Sequence, residues 1–311
     1  MTFLSSLVSA FGAGRVRAGE RLAPYTTFGV GGPADWLVDV RSAAEVRTAL
    51  DLARGANVPV SVVGGGSNVL VADDGVSGLV IRIRGGTVTQ LDDRLVRSDA
   101  GVALNSLVRW TIARGLAGLE AFAGTPGTVG GAIHGNVHYG GRSIGDLVDR
   151  VAVVALDGMV NELPHAELDF AYDRSRLQIS GDVLLSAVFG LLPGGDAAAL
   201  RKAARASLAQ RLRTQPLAAA TAGCIFQNPD PAREPVPAGV PPSAGALIDR
   251  AGLKGRAVGA ARVSEMHGNF IVNEGQATAA DIRALIEMCR REVYAQFGVR
   301  LREEIVYLGR F

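Results

Sequence analysis

Two glycine-rich loops are the parts of this sequence best suited to hold a ligand through backbone atoms. They are residues 62–71, Val-Val-Gly-Gly-Gly-Ser-Asn-Val-Leu-Val, and residues 123–132, Ala-Gly-Thr-Pro-Gly-Thr-Val-Gly-Gly-Ala. Glycine lets successive N–H groups turn to one side and leaves no Cβ in the way, so such loops cradle phosphate oxygens. Either loop alone also fits a tight turn between strands. Together they predict a bound dinucleotide.

The first loop departs from the two common phosphate-binding motifs. It lacks the Lys-Ser or Lys-Thr of a Walker loop, and Val69 stands where the dinucleotide fingerprint requires its third glycine. Both motifs open a helix, whereas residues 69–71 and 79–83 are predicted to be short strands. Ser67 and Asn68 lie between apolar runs, where their side chains can bond phosphate or ribose. The pattern favours a flavin site outside the Rossmann class.

Hydrophobic periodicity indicates the elements that must position these loops. Helices are predicted over residues 43–54, 104–114, 197–213 and 280–297, and strands over 59–63, 182–192 and 299–308. The alternation is too irregular for a doubly wound parallel sheet, which favours an α+β fold. The Pro-Gly-Gly-Asp run at 193–196 marks the main domain boundary.

Composition excludes several classes of partner. The chain has 311 residues, 48% of them hydrophobic, and a net charge of +2 from 32 basic and 30 acidic residues. Because the basic residues are dispersed and no apolar run is long enough to span a bilayer, we predict no nucleic-acid or membrane partner. Cys224 and Cys289 form neither a disulfide framework nor a zinc pattern, which favours the cytoplasm. We predict a monomer or weak oligomer and no metal site.

Seven blocks of the sequence, in order, resemble the UDP-N-acetylenolpyruvoylglucosamine reductases of bacterial peptidoglycan synthesis, in the shorter branch that lacks a mobile tyrosine loop. The blocks are residues 26–35, 64–68, 124–136, 170–177, 223–229, 243–252 and 267–273. The resemblance implies an N-terminal extension (1–19) and a two-lobed FAD-binding domain of the vanillyl-alcohol-oxidase type (20–195, lobes about 20–78 and 79–195). A C-terminal α+β substrate-binding domain (196–311) follows.

The resemblance also implies the reaction. NADPH reduces the flavin, and hydride from flavin N5 then reduces the enolpyruvyl carbon of the nucleotide sugar to give UDP-N-acetylmuramate. Flavin supplies the hydride chemistry. The protein must stabilise negative charge on the enolpyruvyl carboxylate and protonate the neighbouring carbon, which requires a cation, a carboxyl group and a proton donor.

The family's proton donor is a serine in the block Gly-Ser-x-Phe-x-Asn-Pro, and Cys224 stands at that position. A thiol is a stronger acid than an aliphatic hydroxyl, so the role remains feasible. The alternative is that Cys224 is a small buried hydrophobic residue, as most free cysteines are. Cys289, on the apolar face of a predicted helix, is assigned to the core.

The other two catalytic positions depart from the family pattern. Phe-x-Tyr-Arg-x-Ser-x-Leu places Asp173 where the family has arginine, so Arg174 is the predicted cation and Arg176 the second candidate. A local bulge can re-aim a side chain by one residue. Leu-Glu-x-Glu-Val retains only its second glutamate, Glu304, the predicted carboxyl partner. The alternative for the two arginines is that they are solvated charges of a loop. The alternative for Glu304 is that it lies on a surface strand whose charged side chains form ion pairs.

The family blocks also imply binding residues. The predicted cofactor-binding residues are Val63, Gly64, Gly65, Gly66, Ser67, Asn68, Gly124, Thr125, Pro126, Gly127, Thr128, Gly130, Gly131, Ala132, His134 and Asn136. The predicted substrate-binding residues are Gln227, Asn228, Ser243, Gly245, Leu247 and Asn269. Ser243 is also suited to cap a helix. The spacing of His134 and His138 allows a metal pair on a helix, but with no acidic motif beside them flavin contact or packing is favoured.

Two other functions stay open at this point. One is another FAD-linked oxidoreductase of the same fold, acting on a sugar or hydroxy acid, which would not need Cys224, Glu304 or a nucleotide pocket. The other is a catalytically silent flavoprotein, which Asp173 favours.

Overall fold

The computed structural model describes residues 2–155 and 157–311. Met1, the first residue of the predicted extension, and Leu156 lie outside that part. The chain divides into two compact units. The first contains the chain up to Gly19, Asp35–Gly65 and Gly78–Gln210, and the second contains Glu20–Ala34, Gly66–Ser77 and Arg211–Phe311. Neither unit is continuous in sequence, whereas the predicted domains are continuous and meet at residues 195 and 196.

The helices and strands are listed here in chain order. The helices are α1 (Phe3–Phe11), α2 (Ala43–Gly55), α3 (Leu104–Ala113), α4 (Val129–His134), α5 (Leu177–Ser180), α6 (Ala197–Thr214), α7 (Ala244–Arg250) and α8 (Ala279–Phe297). The strands are β1 (Val16–Arg21), β2 (Pro33–Val40), β3 (Val60–Val63), β4 (Val69–Val71), β5 (Val76–Ile83), β6 (Val88–Gln90), β7 (Leu95–Asp99), β8 (His138–Tyr139), β9 (Arg142–Ser143), β10 (Val148–Val154), β11 (Val160–Pro164), β12 (Val183–Gly190), β13 (Ala257–Val258), β14 (Ala261–Val263), β15 (Ile271–Asn273) and β16 (Val306–Leu308). The four predicted helices are confirmed to within a residue at each end.

Two large sheets build the first unit, and β8 and β9 form a separate antiparallel pair in it. One has the order β1-β2-β5-β3, with β3 parallel to β5, and the other is antiparallel with the order β11-β10-β12-β7-β6. Helix α1 begins at the Thr2 cap and buries Leu7 and Phe11 in the same core as Leu79 and Phe189. The described part of the predicted extension, residues 2–19, therefore contains a packed helix and the first residues of β1. Strand β3 ends at Val63, so the sheet delivers the chain directly into the first glycine loop.

The second unit is built around α8. Its apolar stripe, which contains Ile282, Leu285 and Cys289, is buried in a core that also holds Phe28 and residues of α7, β14 and β15. Burial raises the pKa of the Cys289 thiol to about 12. The assignment of this cysteine to the core is confirmed.

Two small sheets complete the second unit. Strands β13, β14 and β15 form an antiparallel sheet, and β16 pairs in parallel with β4, matching Val306 to Val69. The last strand is shorter than the predicted 299–308, so Glu304 lies just before it. Within the described part of the chain, no helix combines the length and apolar character needed to cross a bilayer.

Two parts of the chain provide hydrogen-bond acceptors for the backbone N–H groups in the first turn of α8. Thr278 and Asp281 form a capping box. Asp73, from a distant part of the sequence, accepts the N–H of Ala279 at 2.8 Å and that of Ala280 at 2.9 Å through its two carboxylate oxygens. A carboxylate at this end also interacts favourably with the helix dipole.

We expect Asp73→Ala to lower the free energy of unfolding by about 1–2 kcal/mol, because two helix N–H groups lose a charged acceptor. Asp74→Ala, at an exposed neighbouring position, is the matched control and should change stability by less than about 0.5 kcal/mol. Urea denaturation of both variants followed by far-UV circular dichroism measures the difference. Equal effects would contradict a capping role for Asp73.

Candidate functional site

The two glycine loops touch each other within the first unit. A Cβ added to Gly65 would lie 2.6 Å from the Gly127 Cα, and one added to Gly64 would overlap the Thr128 hydroxyl. Side chains are excluded here because two stretches of backbone pass at van der Waals distance. The sequence indicates each loop separately, and the structure brings them together.

The rest of the first loop belongs to the second unit. Gly66 has a φ of +63°, its carbonyl accepts the N–H of Thr27 at 2.9 Å, and a Cβ there would overlap the Tyr25 carbonyl oxygen. The Asn68 amide donates to the Glu304 carbonyl at 3.1 Å. Asn68 therefore joins this loop to the segment that carries the predicted catalytic carboxyl group.

Asn105, on α3, supports the second loop. Its amide oxygen accepts the N–H of Gly124 at 2.7 Å, and its amide nitrogen donates to the Thr125 carbonyl at 2.9 Å. Sequence reasoning missed Asn105, whose only local signal is a polar residue in the first turn of a mostly apolar helix. At the other end of the loop, Thr128 caps α4 by accepting the N–H of Gly131 at 3.3 Å.

The Thr125 hydroxyl is an unsatisfied group in this loop. Thr125 is 5% exposed, and its Oγ1 has no hydrogen-bond partner among the residues that the structure describes. A buried hydroxyl without a partner is costly. Together with the glycine contact, this group fits a loop pair whose polar bonds are completed by a ligand.

Beyond α4, side chains hold a neighbouring turn in place. The Asn136 amide donates to the Ala171 carbonyl at 2.7 Å and accepts the N–H of Gly145 at 2.9 Å, while the Ser175 hydroxyl donates to the His134 carbonyl at 2.7 Å. Asn136, predicted to contact the cofactor, thus uses its side chain to position the turn. Burial lowers the pKa of His134, which favours its neutral form.

That turn shows what the replacement of arginine by aspartate does. Ala171 and Arg174 bond to each other through backbone groups at 3.0 and 3.1 Å, so Tyr172 and Asp173 form the tip. Asp173 has a φ of +51° and a buried side chain whose Oδ1 lies 2.9 Å from Nδ1 of His138. His138 is in β8, not on a helix with His134, and its ring packs on Tyr172 at 4.7 Å.

The two candidate arginines differ in their surroundings. Arg174 is exposed and forms no ion pair within the described residues. Arg176 lies 3.6 Å from Glu167. Arg174 thus has no carboxylate beside it in the described part of the chain, whereas Arg176 does.

In the second unit, the Cys224 segment lies between two others. Cys224 forms an isolated β-bridge with Phe270, and the neighbouring Ile225 donates to the Asn269 carbonyl at 2.9 Å and accepts from the N–H of Glu304 at 2.8 Å. Cys224 is partly exposed, unlike the buried Cys289. This position argues against the alternative that Cys224 is only a core residue.

The Asn269 side chain clamps the Cys224 segment. Its amide oxygen accepts the N–H of Phe226 at 2.9 Å, and its amide nitrogen donates to the Phe226 carbonyl at 2.7 Å. Asn269 is 3% exposed. Its side chain therefore serves the protein's own backbone, although it was predicted to bind substrate.

The adjacent glutamates have separate surroundings. Glu303 lies 3.1 Å from Arg283 and 3.0 Å from Arg290, both on α8. Glu304 is attached through its backbone to the Cys224 segment. Of the two carboxyl groups, Glu303 thus serves the helix, and Glu304 remains the predicted partner in catalysis.

The predicted substrate residues around α7 are a mixed set. Ser243 caps the helix by accepting the N–H of Ala246 at 3.4 Å, and Asn228 accepts the N–H of Ala244 at 3.0 Å. Leu247 is fully buried in the core. Gln227 is partly exposed beside the Phe226 clamp. Ser243 therefore caps the helix, and a contact of this residue with substrate stays a prediction.

Metal ligation has no support in the arrangement of side chains. Over residues 2–155 and 157–311, no group of three or more His, Cys, Asp and Glu residues is placed to hold a metal ion.

Two family models match the chain. The model described as "FAD binding domain" matches residues 34–163, and the model described as "UDP-N-acetylenolpyruvoylglucosamine reductase, C-terminal domain" matches residues 215–308. The glycine contact and the unsatisfied Thr125 hydroxyl fall inside the first match. Cys224 and Glu304 fall inside the second.

Individual proteins match over nearly the whole chain. A UDP-N-acetylenolpyruvoylglucosamine reductase of Synechococcus sp. (strain JA-3-3Ab) is 39% identical over 96% of this chain and 93% of its own length. The protein of Symbiobacterium thermophilum named UDP-N-acetylenolpyruvoylglucosamine reductase 2 is 41% identical over 95% and 93%. The crystal structure of the Thermus caldophilus UDP-N-acetylenolpyruvylglucosamine reductase superimposes with a TM-score of 0.78 at 34% identity, covering 95% of this chain and 99% of that one.

We expect Gly65→Ala to weaken FAD binding by about tenfold or more, because the new methyl group forces the two loops apart and a loss of 1.4 kcal/mol is already tenfold. Gly55→Ala, at the end of α2 with open space at the Cβ position, is the control and should bind FAD normally. Flavin fluorescence during titration of the apoprotein measures both. Unchanged affinity in Gly65→Ala would exclude this contact from the flavin site.

Proposed function

The chain belongs to the family of UDP-N-acetylenolpyruvoylglucosamine reductases, and we propose how its own residues carry out that family's reaction. It is an FAD-dependent oxidoreductase of peptidoglycan precursor synthesis, which uses NADPH to reduce UDP-N-acetyl-3-O-(1-carboxyvinyl)-glucosamine to UDP-N-acetylmuramate. The single observation that carries the assignment of residues is the backbone connection of the Cys224 segment to both Asn269 and Glu304.

The glycine loops are the proposed holders of FAD. A Cβ on Gly65 would meet the Gly127 backbone and one on Gly64 the Thr128 hydroxyl, and the Thr125 hydroxyl has no partner in the described chain. The unpartnered hydroxyl fits a polar contact with the ligand, and the glycine contact fits a pair of loops held rigidly around it. When bound, the flavin supplies the hydride chemistry. The contribution of these loops is to bind it and to fix its orientation.

Cys224 is the proposed proton donor. Its segment is restrained on one side by the Asn269 clamp and on the other by the N–H of Glu304, so the thiol is held by rigid backbone although it remains partly exposed. A donor must be positioned precisely to protonate a carbon as hydride arrives. The thiol of Cys224 gives its proton to the substrate carbon next to the one that receives hydride.

We expect Cys224→Ala to slow reoxidation of the reduced flavin by the enolpyruvyl substrate by about 100-fold or more, the usual contribution of a general acid. Flavin reduction by NADPH should stay unchanged. Cys224→Ser, which restores the hydroxyl of the family pattern, should retain more activity than Cys224→Ala. Anaerobic stopped-flow absorbance separates the half-reactions, and equal loss in both would refute the donor role.

Arg174 and Glu304 are the proposed groups for the enolpyruvyl carboxylate and the charge that develops beside it. Arg174 is supported by its exposure and by the absence of an ion partner in the described chain, whereas Arg176 faces Glu167. Glu304 is supported by its connection to the Cys224 segment. A guanidinium aimed at developing negative charge stabilises the transition state more than the ground state.

We expect Arg174→Ala to slow substrate reduction by about 100-fold or more, as when one oxyanion-stabilising donor is removed. Arg176→Ala removes an ion pair worth little at an exposed site, so its rate should stay within about threefold of the parent protein. Arg174→Lys should recover part of the loss. Steady-state kinetics of the three variants tests the assignment, and the reverse order would move the cationic role to Arg176.

The remaining proposals concern partners and location. We propose a cytoplasmic monomer or weak oligomer with no nucleic-acid or membrane partner, supported by two cysteines that form no disulfide and by the dispersed charge. Size-exclusion chromatography with light scattering tests the oligomeric state.

The sequence left two alternative functions open, a different oxidoreductase and a silent flavoprotein. Both predict that the enolpyruvyl substrate does not reoxidise the reduced flavin.

A further inference from the structure

His267 lies in a tight turn of the second unit that no step of the proposed reaction uses. The N–H of Asn269 donates to Nδ1 of His267 at 3.2 Å, and the N–H of Phe270 donates to the His267 carbonyl at 3.0 Å. The Ser264 hydroxyl accepts the His267 N–H at 3.4 Å. The imidazole is therefore a hydrogen-bond acceptor for a backbone group of this turn.

The turn is joined to the Cys224 segment at several points. The Asn269 side chain bonds both backbone groups of Phe226, the Asn269 carbonyl accepts the N–H of Ile225, and Phe270 bridges to Cys224. Any movement of Asn269 is thus transmitted to the backbone on both sides of Ile225.

The hydrogen bond at Nδ1 determines which nitrogen of the neutral His267 ring carries the proton. A backbone N–H only donates, so Nδ1 carries no proton and the neutral ring has its proton on Nε2. A second proton on Nδ1 would face the N–H of Asn269. Burial and, to a smaller extent, the positive charge of Lys254 lower the pKa of His267 against a hydrogen bond to its own backbone, and the lowered pKa agrees with this state.

Packing restricts the ring as well. A Cβ on Gly245 at the start of α7 would lie 2.9 Å from Cε1 of His267, and the Phe270 ring packs edge-on at 4.9 Å. The charged groups around the turn are Lys254, whose Nζ lies 2.9 Å from Asp249 on α7, and Glu265 beside the turn. The imidazole has little freedom to rotate away from Asn269.

We propose that His267 is a positioning residue for Cys224: only the singly protonated ring accepts the Asn269 N–H, so a second proton releases the turn and displaces the proton donor. The inference rests on the proposed function of Cys224. It predicts that the rate of substrate reduction declines as the pH falls and His267 takes up its second proton. The rate of flavin reduction by NADPH should not decline in the same way. Because the pKa of this ring is lower in the folded than in the unfolded protein, its contribution to stability is also lost as pH falls below about 6.5.

Three substitutions test the role. In His267→Asn the amide oxygen takes the place of Nδ1 as acceptor but does not titrate, whereas His267→Gln places its amide nearer to Nε2 and His267→Ala removes the acceptor. We expect His267→Asn to reoxidise flavin with substrate within about threefold of the parent rate at neutral pH and to lose the acid decline. The other two should be slower by about tenfold or more, the effect of losing one buried hydrogen bond.

A readout independent of turnover separates this inference from the proposed function. In the holoenzyme labelled with nitrogen-15 histidine, NMR should find the His267 proton on Nε2 at neutral pH and a second proton only under acid conditions. A proton on Nδ1, an acid decline that persists in His267→Asn, or a rise in KM at unchanged kcat in all three variants would overturn the positioning role. Failure of the parent protein to reoxidise its flavin with substrate would instead overturn the proposed function.

Discussion

Close backbone contact between two glycine loops is the constraint on which the architecture of the first unit depends. Gly65 and Gly127 pass so near each other that neither the strand before the first loop nor the helix after the second can shift independently. The β3–β5 pairing sets one loop, and the Thr128 cap of α4 and the Asn105 amide set the other. The backbone at the contact is thus held in a rigid frame, and a rigid binding loop lowers the cost of ordering it around a ligand.

The second unit depends on an analogous constraint made by one side chain. Asn269 uses its whole amide on the backbone of Phe226, so the Cys224 segment is held although it forms no regular strand. Backbone groups outside regular structure must find other partners, and a buried Asn can satisfy a donor and an acceptor together. A partly exposed thiol is in this way carried on a rigid segment.

The replacement of the family arginine by Asp173 illustrates how a fold absorbs a change of charge. Aspartate tolerates the left-handed conformation at the tip of the turn and its carboxylate meets His138, while the neighbouring Arg174 is exposed. Asn136 and Ser175 anchor this turn through their side chains. In the proposed assignment the cationic role lies on Arg174, the next residue of the same turn.

The sequence by itself determined the α+β class, the main helices, the two loops and the family to which the chain belongs, because these follow from local periodicity, glycine content and residue order. Only the tertiary structure decided that the loops touch, that Asn105 and Asn136 support them, that Asn269 serves the backbone and that both units are assembled from separate stretches of chain. Such contacts join residues far apart in sequence, and neither propensity nor spacing encodes which polar group will find which partner. The fold resolves that choice by bringing most buried polar groups to a hydrogen-bond partner.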